Sequence, residues 1–193
     1  MRIISRKSLY LFFWLAVAGL GIMIAPSRTV APSAAARQVH AEVDKPVAST
    51  PKTSPFTLRV DKLGLKAPIL LDVDGRTDAY YRALLHGVAH MLGTAKPTEQ
   101  GNIVIFGHSS ADANDANAYN SIFSKLNNLV QGDMIAIDDS AAGNGLAYKV
   151  SGKKIVSPDD TSLIQQNLDT RLTLITCWPI GDDASRLVVW ATP

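Results

Sequence analysis

The chain contains one cysteine, Cys177, at the end of an apolar, β-branched run, Arg171–Thr176. A lone thiol cannot close a disulfide within the chain or build a multi-cysteine metal site. It is either a packed, inert side chain, as free cysteines often are, or a nucleophile. A nucleophilic thiol must ionise, and an unperturbed one is only a few per cent thiolate at neutral pH. A nearby imidazole or guanidinium shifts that balance. Two residues qualify. His108 ends a second apolar run, Asn102–Gly107, and Arg186 opens a third, Arg186–Thr192. If these runs are strands whose ends share one rim, thiol, imidazole and guanidinium meet there. Taken singly, His108 reads as a satisfied surface or core histidine and Arg186 as a solvated strand end. Only in conjunction with Cys177 do they point to nucleophilic chemistry.

Two other arrangements compete. His86 and His90 are four apart, with Glu99 and His108 following. A zinc-protease helix would need Glu beside the first His, where this chain has Gly87, so no metal is expected. Gly107-His108-Ser109-Ser110-Ala111 resembles the nucleophile elbow of α/β-hydrolases, but that fold places its His after the Ser. No histidine follows His108 here. There is no phosphate-binding loop, so no cofactor is expected; no EF-hand spacing appears either, and calcium dependence is not readable from the residues.

The elements that must position these residues lie in 56–193. FTLRV, APILLDV, NIVIFG, DMIAIDD, LAYKVSGKKIV, RLTLITC and RLVVWAT read as strands. Gly, Asp, Asn and Pro clusters separate them. Thr77–Leu85 and Asn120–Leu129 have helical character, the second with Ile122, Phe123, Leu126 and Leu129 on one face. Short strands with two small helices predict a mainly β fold, a closed or nearly closed barrel of about eight strands. Helix–strand alternation is too sparse for a doubly wound sheet.

Upstream, the chain changes character. Ser8–Ala25 is an 18-residue stretch without a charge, which as a helix spans about 27 Å, close to the hydrocarbon core of a bilayer. Arg2, Arg6 and Lys7 precede it, so residues 1–7 read as a cytoplasmic leader and 8–25 as a transmembrane signal-anchor. Small residues at Ala34–Ala36 leave cleavage open. Residues 26–55 hold five of the ten prolines and read as an extracytoplasmic stalk. The expected placement is a single-pass membrane protein with residues 56–193 outside the cell. The formal net charge of +2 hides an asymmetry: residues 1–55 carry seven of the 19 basic residues and two of the 17 acidic ones. The domain is mildly acidic, which argues against nucleic-acid binding.

The residues also carry a family resemblance. RLTLITC resembles the sortase pattern T-L-x-T-C at Thr173–Cys177, and Arg186 begins RLVVWA, similar to that family's closing strand. GNIVIFGH resembles the strand ending in its histidine, and HGVAHMLGTAKPTEQGN a loop of several sortase classes. Phe123, Leu126, Leu129 and Gly132-Asp133 fit the helix and turn that follow. The resemblance implies a sortase-like barrel and a membrane-anchored cysteine transpeptidase with His108, Cys177 and Arg186 as catalytic residues. It implies cleavage of an LPxTG-like sorting signal on secreted proteins. The thioacyl intermediate would pass to an amine, either a cell-wall peptide or a pilin lysine. His90 is implied in the substrate groove or in a structural role. Thr176 and Trp178, flanking the thiol, are further candidates for substrate contact. Ser109 after the histidine and Thr98 in place of a loop glycine depart from the pattern, and Cys177-Trp178-Pro179 is closer to class D or class E than to class A or B. A hydrolase of the same fold and a non-catalytic, membrane-tethered binding module remain alternatives.

Overall fold

Apolar residues at every second position put one edge of each run toward a common interior, and eight strands result. They are β1 (Thr53–Val60), β2 (Leu65–Val73), β3 (Val88–Met91), β4 (Asn102–Phe106), β5 (Met134–Asp139), β6 (Asn144–Val156), β7 (Arg171–Trp178) and β8 (Ser185–Thr192). They close into a barrel in the order β1-β2-β3-β4-β7-β8-β6-β5. This computed structural model describes residues 53–75, 77–110, 117–162, 164–166 and 168–193. The expected leader and anchor, and residues 26–52 of the stalk, lie outside that set. Among the described residues no helix is long and apolar enough to cross a membrane.

Six of the eight pairings are antiparallel. The parallel ones, β2 with β3 and β4 with β7, need long crossovers. The first crossover carries the one α-helix among the described residues, α1 (Thr77–Leu84), as the sequence predicts. The second runs through 117–162, where the apolar face expected over Asn120–Leu129 forms successive turns ending in a 3-10 helix, Leu126–Asn128. Phe123, Leu126 and Leu129 are all buried in the barrel core. Strand β3 is not among the runs that sequence patterning reads as strands, and it lies in the segment that the family resemblance reads as a loop. It is four residues long, Val-Ala-His-Met, and too short to show alternation.

The strands around the site are buried on both faces. Ile103 and Ile105 of β4, Leu172 and Leu174 of β7, and Leu187 and Val189 of β8 point into the barrel. Their neighbours Val104, Ile175 and Val188 form a second cluster with Val156, closed by Phe106, Met91 and Ile164. The outer face is thus covered from the β6–β7 connection. On β2 and β3 it is covered by α1, whose Ala83 and Leu84 pack on Leu70 and Ala89.

His90 is fully buried beneath the β3–β4 loop. The Asp72 amide donates to Nδ1 at 3.2 Å, and Nε2 lies 3.0 Å from the Ala95 carbonyl and 3.0 Å from Thr94 Oγ1. The Thr94 hydroxyl itself donates to the Met91 carbonyl. An accepting Nδ1 and a donating Nε2 describe the neutral imidazole. The suggestion that His90 lines a substrate groove is therefore corrected: both ring nitrogens are engaged inside the fold, and none of the ring reaches solvent. Burial holds its pKa below the ordinary histidine value, with the Lys96 charge acting in the same direction. The Ala95 carbonyl, Asp72 and Glu99 oppose that shift.

The adjoining loop holds a strained residue. Thr98 has φ 84, in the left-handed region, where a β-branched side chain is an outlier. This is the position at which the resembling family carries glycine. The Thr98 side chain is exposed, so its removal forfeits little packing. Thr98→Gly should raise stability by about 1 kcal/mol, read as a higher denaturation midpoint at unchanged slope. An unchanged or lower midpoint would show that the threonine is not strained there.

For His90 the unfolded chain binds the proton more readily than the native state. Stability should therefore be complete above about pH 6.5 and fall as pH drops below it, by up to about 1.4 kcal/mol per unit. His90→Gln should flatten that part of the profile in denaturant titrations between about pH 5 and 7. Equal slopes in the two proteins would contradict a buried neutral imidazole.

Candidate active site

Strand pairing places the three candidate groups. Cys177 and Arg186 are direct partners in the antiparallel β7–β8 ladder, so their side chains leave the same face of the sheet. Alternation fixes which face. Leu172, Leu174 and Trp178 contact the barrel core, so Cys177, in step with Ile175, points outward. The candidate site therefore lies on the outer face, at the end of the strip formed by Val104, Phe106, Ile175 and Val188.

His108 arrives from the neighbouring strand. β4 runs parallel to β7 with Phe106 opposite Ile175. The chain then stays attached for one more residue: the Gly107 amide donates to the Ile175 carbonyl at 3.2 Å, and Thr176 Oγ1 donates to the Gly107 carbonyl at 2.8 Å. Phe123 donates its amide to the His108 carbonyl at 2.8 Å. A Cβ at position 107 would lie 2.6 Å from the Phe123 ring, so only glycine lets the chain pass this close to the core.

His108 and Cys177 line one pocket of about 270 Å³ with Ser109, Ser110, Gly181, Asp182 and Asp183. The acidic pair comes from the β7–β8 turn, which passes Gly181 at φ 85 and is closed by an Asp182 carboxylate accepting the Ala184 amide at 3.0 Å. Arg186 is half-buried beside Cys177, and its Nη1 donates to the carbonyls of Asp183 at 2.7 Å and Ser185 at 3.0 Å. A larger cavity of about 360 Å³, between Thr98–Gln100 and Tyr148, contains none of the three candidates. Among the described residues no three metal-ligating side chains gather.

The other sequence candidates stand elsewhere. The buried Thr176 hydroxyl faces Gly107, where it braces β4 against β7. Trp178 is half-buried against the barrel core. Neither lines the pocket with Cys177, because alternation turns both away from the thiol.

Two residues at the site were not singled out from sequence. Tyr81 of α1 stacks on His108 with ring centroids 6.2 Å apart and planes 21° from parallel. Tyr80 meets Phe106 edge-on at 5.7 Å. Burial pushes the Tyr80 hydroxyl above the ordinary tyrosine range; the Cys177 charge adds to the shift and the Arg186 charge opposes it. Both tyrosines lie in the helix the sequence predicts, but its pattern does not say which strand ends the helix would flank.

The fold and sequence have known counterparts. A sortase-domain family model matches residues 58–193. Sortase D of Bacillus subtilis (strain 168) is 30% identical over 137 residues, which is 69% of this chain and 60% of that protein. Among solved structures, sortase A from Corynebacterium diphtheriae superposes with a TM-score of 0.61 at 29% identity, covering 73% of this chain and 60% of that one. A Clostridium perfringens sortase D5 transpeptidase superposes with a TM-score of 0.58 at 26% identity, covering 73% of this chain and 80% of that one. With the family model extending from within β1 to the end of β8, the chain belongs to the sortase family.

Proposed function

We propose that the chain is a cysteine transpeptidase acting on LPxTG-like sorting signals, with Cys177 as nucleophile, His108 as acid–base and Arg186 as oxyanion donor. The observation that carries this reading is that Cys177 shares a pocket with His108 and is paired in register with Arg186, which does not itself line that pocket. The Cys177 thiolate attacks the carbonyl carbon at the scissile bond, and Arg186 donates hydrogen bonds to the oxygen that becomes negative. As the C–N bond breaks, His108 as imidazolium gives its proton to the departing amine. A thioester links substrate and Cys177. An incoming amine then attacks that carbonyl, the C–S bond breaks, and the proton it sheds returns to His108. Anchoring of Arg186 through Nη1 leaves the rest of its guanidinium fork for the oxyanion.

The acceptor is a cell-wall peptide amine or a pilin lysine. Similarity to sortase D supports a class D assignment, in keeping with Cys177-Trp178-Pro179. Residues 8–25 anchor the protein in the cell membrane with the barrel outside, a reading that rests on their length, lack of charge and basic leader.

In a peptide assay followed by mass spectrometry, wild type should accumulate a thioacyl adduct and give a ligated product when triglycine or diaminopimelate is added. Cys177→Ala should give neither, and cleavage surviving in it would remove the mechanism. Arg186→Ala should lose about 10²–10³ in kcat; a loss below about threefold would reduce Arg186 to a structural role. Release to water with no ligated product would identify a hydrolase. Membranes expressing the full chain should yield it only to detergent, and recovery in the aqueous fraction would refute the anchor.

A further inference from the structure

Four rings form a chain of contacts leading to His108, which shares a pocket with Cys177. Phe106 and His108 are two residues apart at the end of β4; Tyr80 and Tyr81 are consecutive on α1. Tyr80 meets Phe106 at 5.7 Å and Tyr81 at 5.8 Å, both edge-on, and Tyr81 lies nearly flat against His108. Tyr80 is thus the inner post that fixes α1 to β4, and Tyr81 is the ring it holds outward. Tyr81 is 55% exposed, so core burial does not account for a large aromatic at this position. What it covers is one face of an imidazole at the mouth of a pocket.

We propose that Tyr81 is a positioning residue for His108, holding the imidazole beside Cys177 and stabilising its protonated form by ring stacking. The proposal rests on the acid–base role assigned to His108 above. A histidine at a pocket mouth has rotamer freedom to lose, and proton transfer needs hydrogen-bond reach to the reacting group. A flat aromatic neighbour removes orientations that turn the ring away. Its negative face also attracts imidazolium more than neutral imidazole. Among the described residues, the titratable groups that share its pocket or stack on its ring are Cys177 on β7, Asp182 and Asp183 on the β7–β8 turn, and Tyr81. Arg186 on β8 stands across the ladder from Cys177, and Tyr80 lies within the field of both. Among the described residues, Tyr81 is the aromatic ring that stacks beside the imidazole.

The test uses the full chain in detergent micelles, ¹³C-labelled at histidine, with the His108 signal assigned by its loss in His108→Gln. Titration is run in a Cys177→Ala background, which removes coupling to the thiol. Tyr81→Ala should move the His108 midpoint to lower pH by about half a unit, and Tyr81→Phe should leave it in place. With Cys177 present, alkylation by iodoacetamide at neutral pH should slow by about threefold in Tyr81→Ala and recover in Tyr81→Phe. Melting temperatures within a few degrees of wild type in both variants separate this from unfolding. An unmoved midpoint in Tyr81→Ala, or a Tyr81→Phe protein that behaves like Tyr81→Ala, would overturn the proposal. Peptide cleavage surviving in Cys177→Ala would instead refute the transpeptidase reading and leave the titration to decide on Tyr81.

Discussion

The parallel pairing of β4 with β7 is the constraint on which the rest of the site depends. Parallel strands leave a sheet at the same edge, so His108 and Cys177, each just at or beyond a strand's C-terminal end, emerge side by side. Antiparallel β8 then starts where β7 finishes, and Arg186 is brought opposite Cys177 by register. Two strand ends and one strand start are thereby collected at one rim from positions 108, 177 and 186. The ladder alone would stop at Phe106. Two hydrogen bonds on Gly107, one from its amide and one to its carbonyl, extend the attachment of this chain to β7 up to His108. The Thr176 hydroxyl therefore acts on the site from inside the barrel, by fixing the separation of the strands that carry the proposed acid–base and the nucleophile.

The strands that carry the site have two buried faces, and this separates stability from chemistry. The inward residues make the core, while the outward ones make a narrow apolar strip closed by Phe106, Met91 and Ile164. Cys177 and Arg186 lie where that strip meets solvent. A thiol on the inner face would sit among Leu172, Leu174 and Leu187, out of reach of a peptide. One step of register would exchange Cys177 for Trp178 and invert both faces of β7. The bulk of Trp178 against the core is a guard against that slip.

Much of this was legible in the residues. Seven of the eight strands show as β-branched runs, and the three candidate residues stand at run ends because strand termini are where side chains escape a two-sided sheet. What could not be read has physical reasons. β3 is too short to display a period. Thr176 has the polarity of a substrate contact, yet it turns inward because an odd or even position on β7 is set by Cys177. His90 was ambiguous because polarity does not reveal burial. A histidine whose ring nitrogens accept from Asp72 and donate toward Ala95 and Thr94 is as satisfied in a core as in water. Tyr81 was invisible for a different reason. Its partner His108 is 27 positions away, and no periodicity within a helix encodes the strand end against which that helix docks.

The way Arg186 is held bears on the chemistry proposed for it. Its Nη1 rests on two main-chain carbonyls, those of Asp183 and Ser185, and among the described residues no carboxylate pairs with it. A carbonyl orients a guanidinium without cancelling its charge, whereas a bidentate carboxylate would occupy the fork and oppose its field. The backbone of Asp183 serves the arginine while the residue lines the pocket that His108 and Cys177 share. The turn thus divides its labour. The carbonyls of Asp183 and Ser185 hold one end of the guanidinium beside Cys177. Asp182 and Asp183 line the same pocket as His108 and Cys177, and the Asp182 carboxylate also accepts the Ala184 amide. An oxyanion donor is effective in proportion to how little it must reorganise when charge appears, and a guanidinium fastened to a strand start by main-chain groups has little left to rearrange.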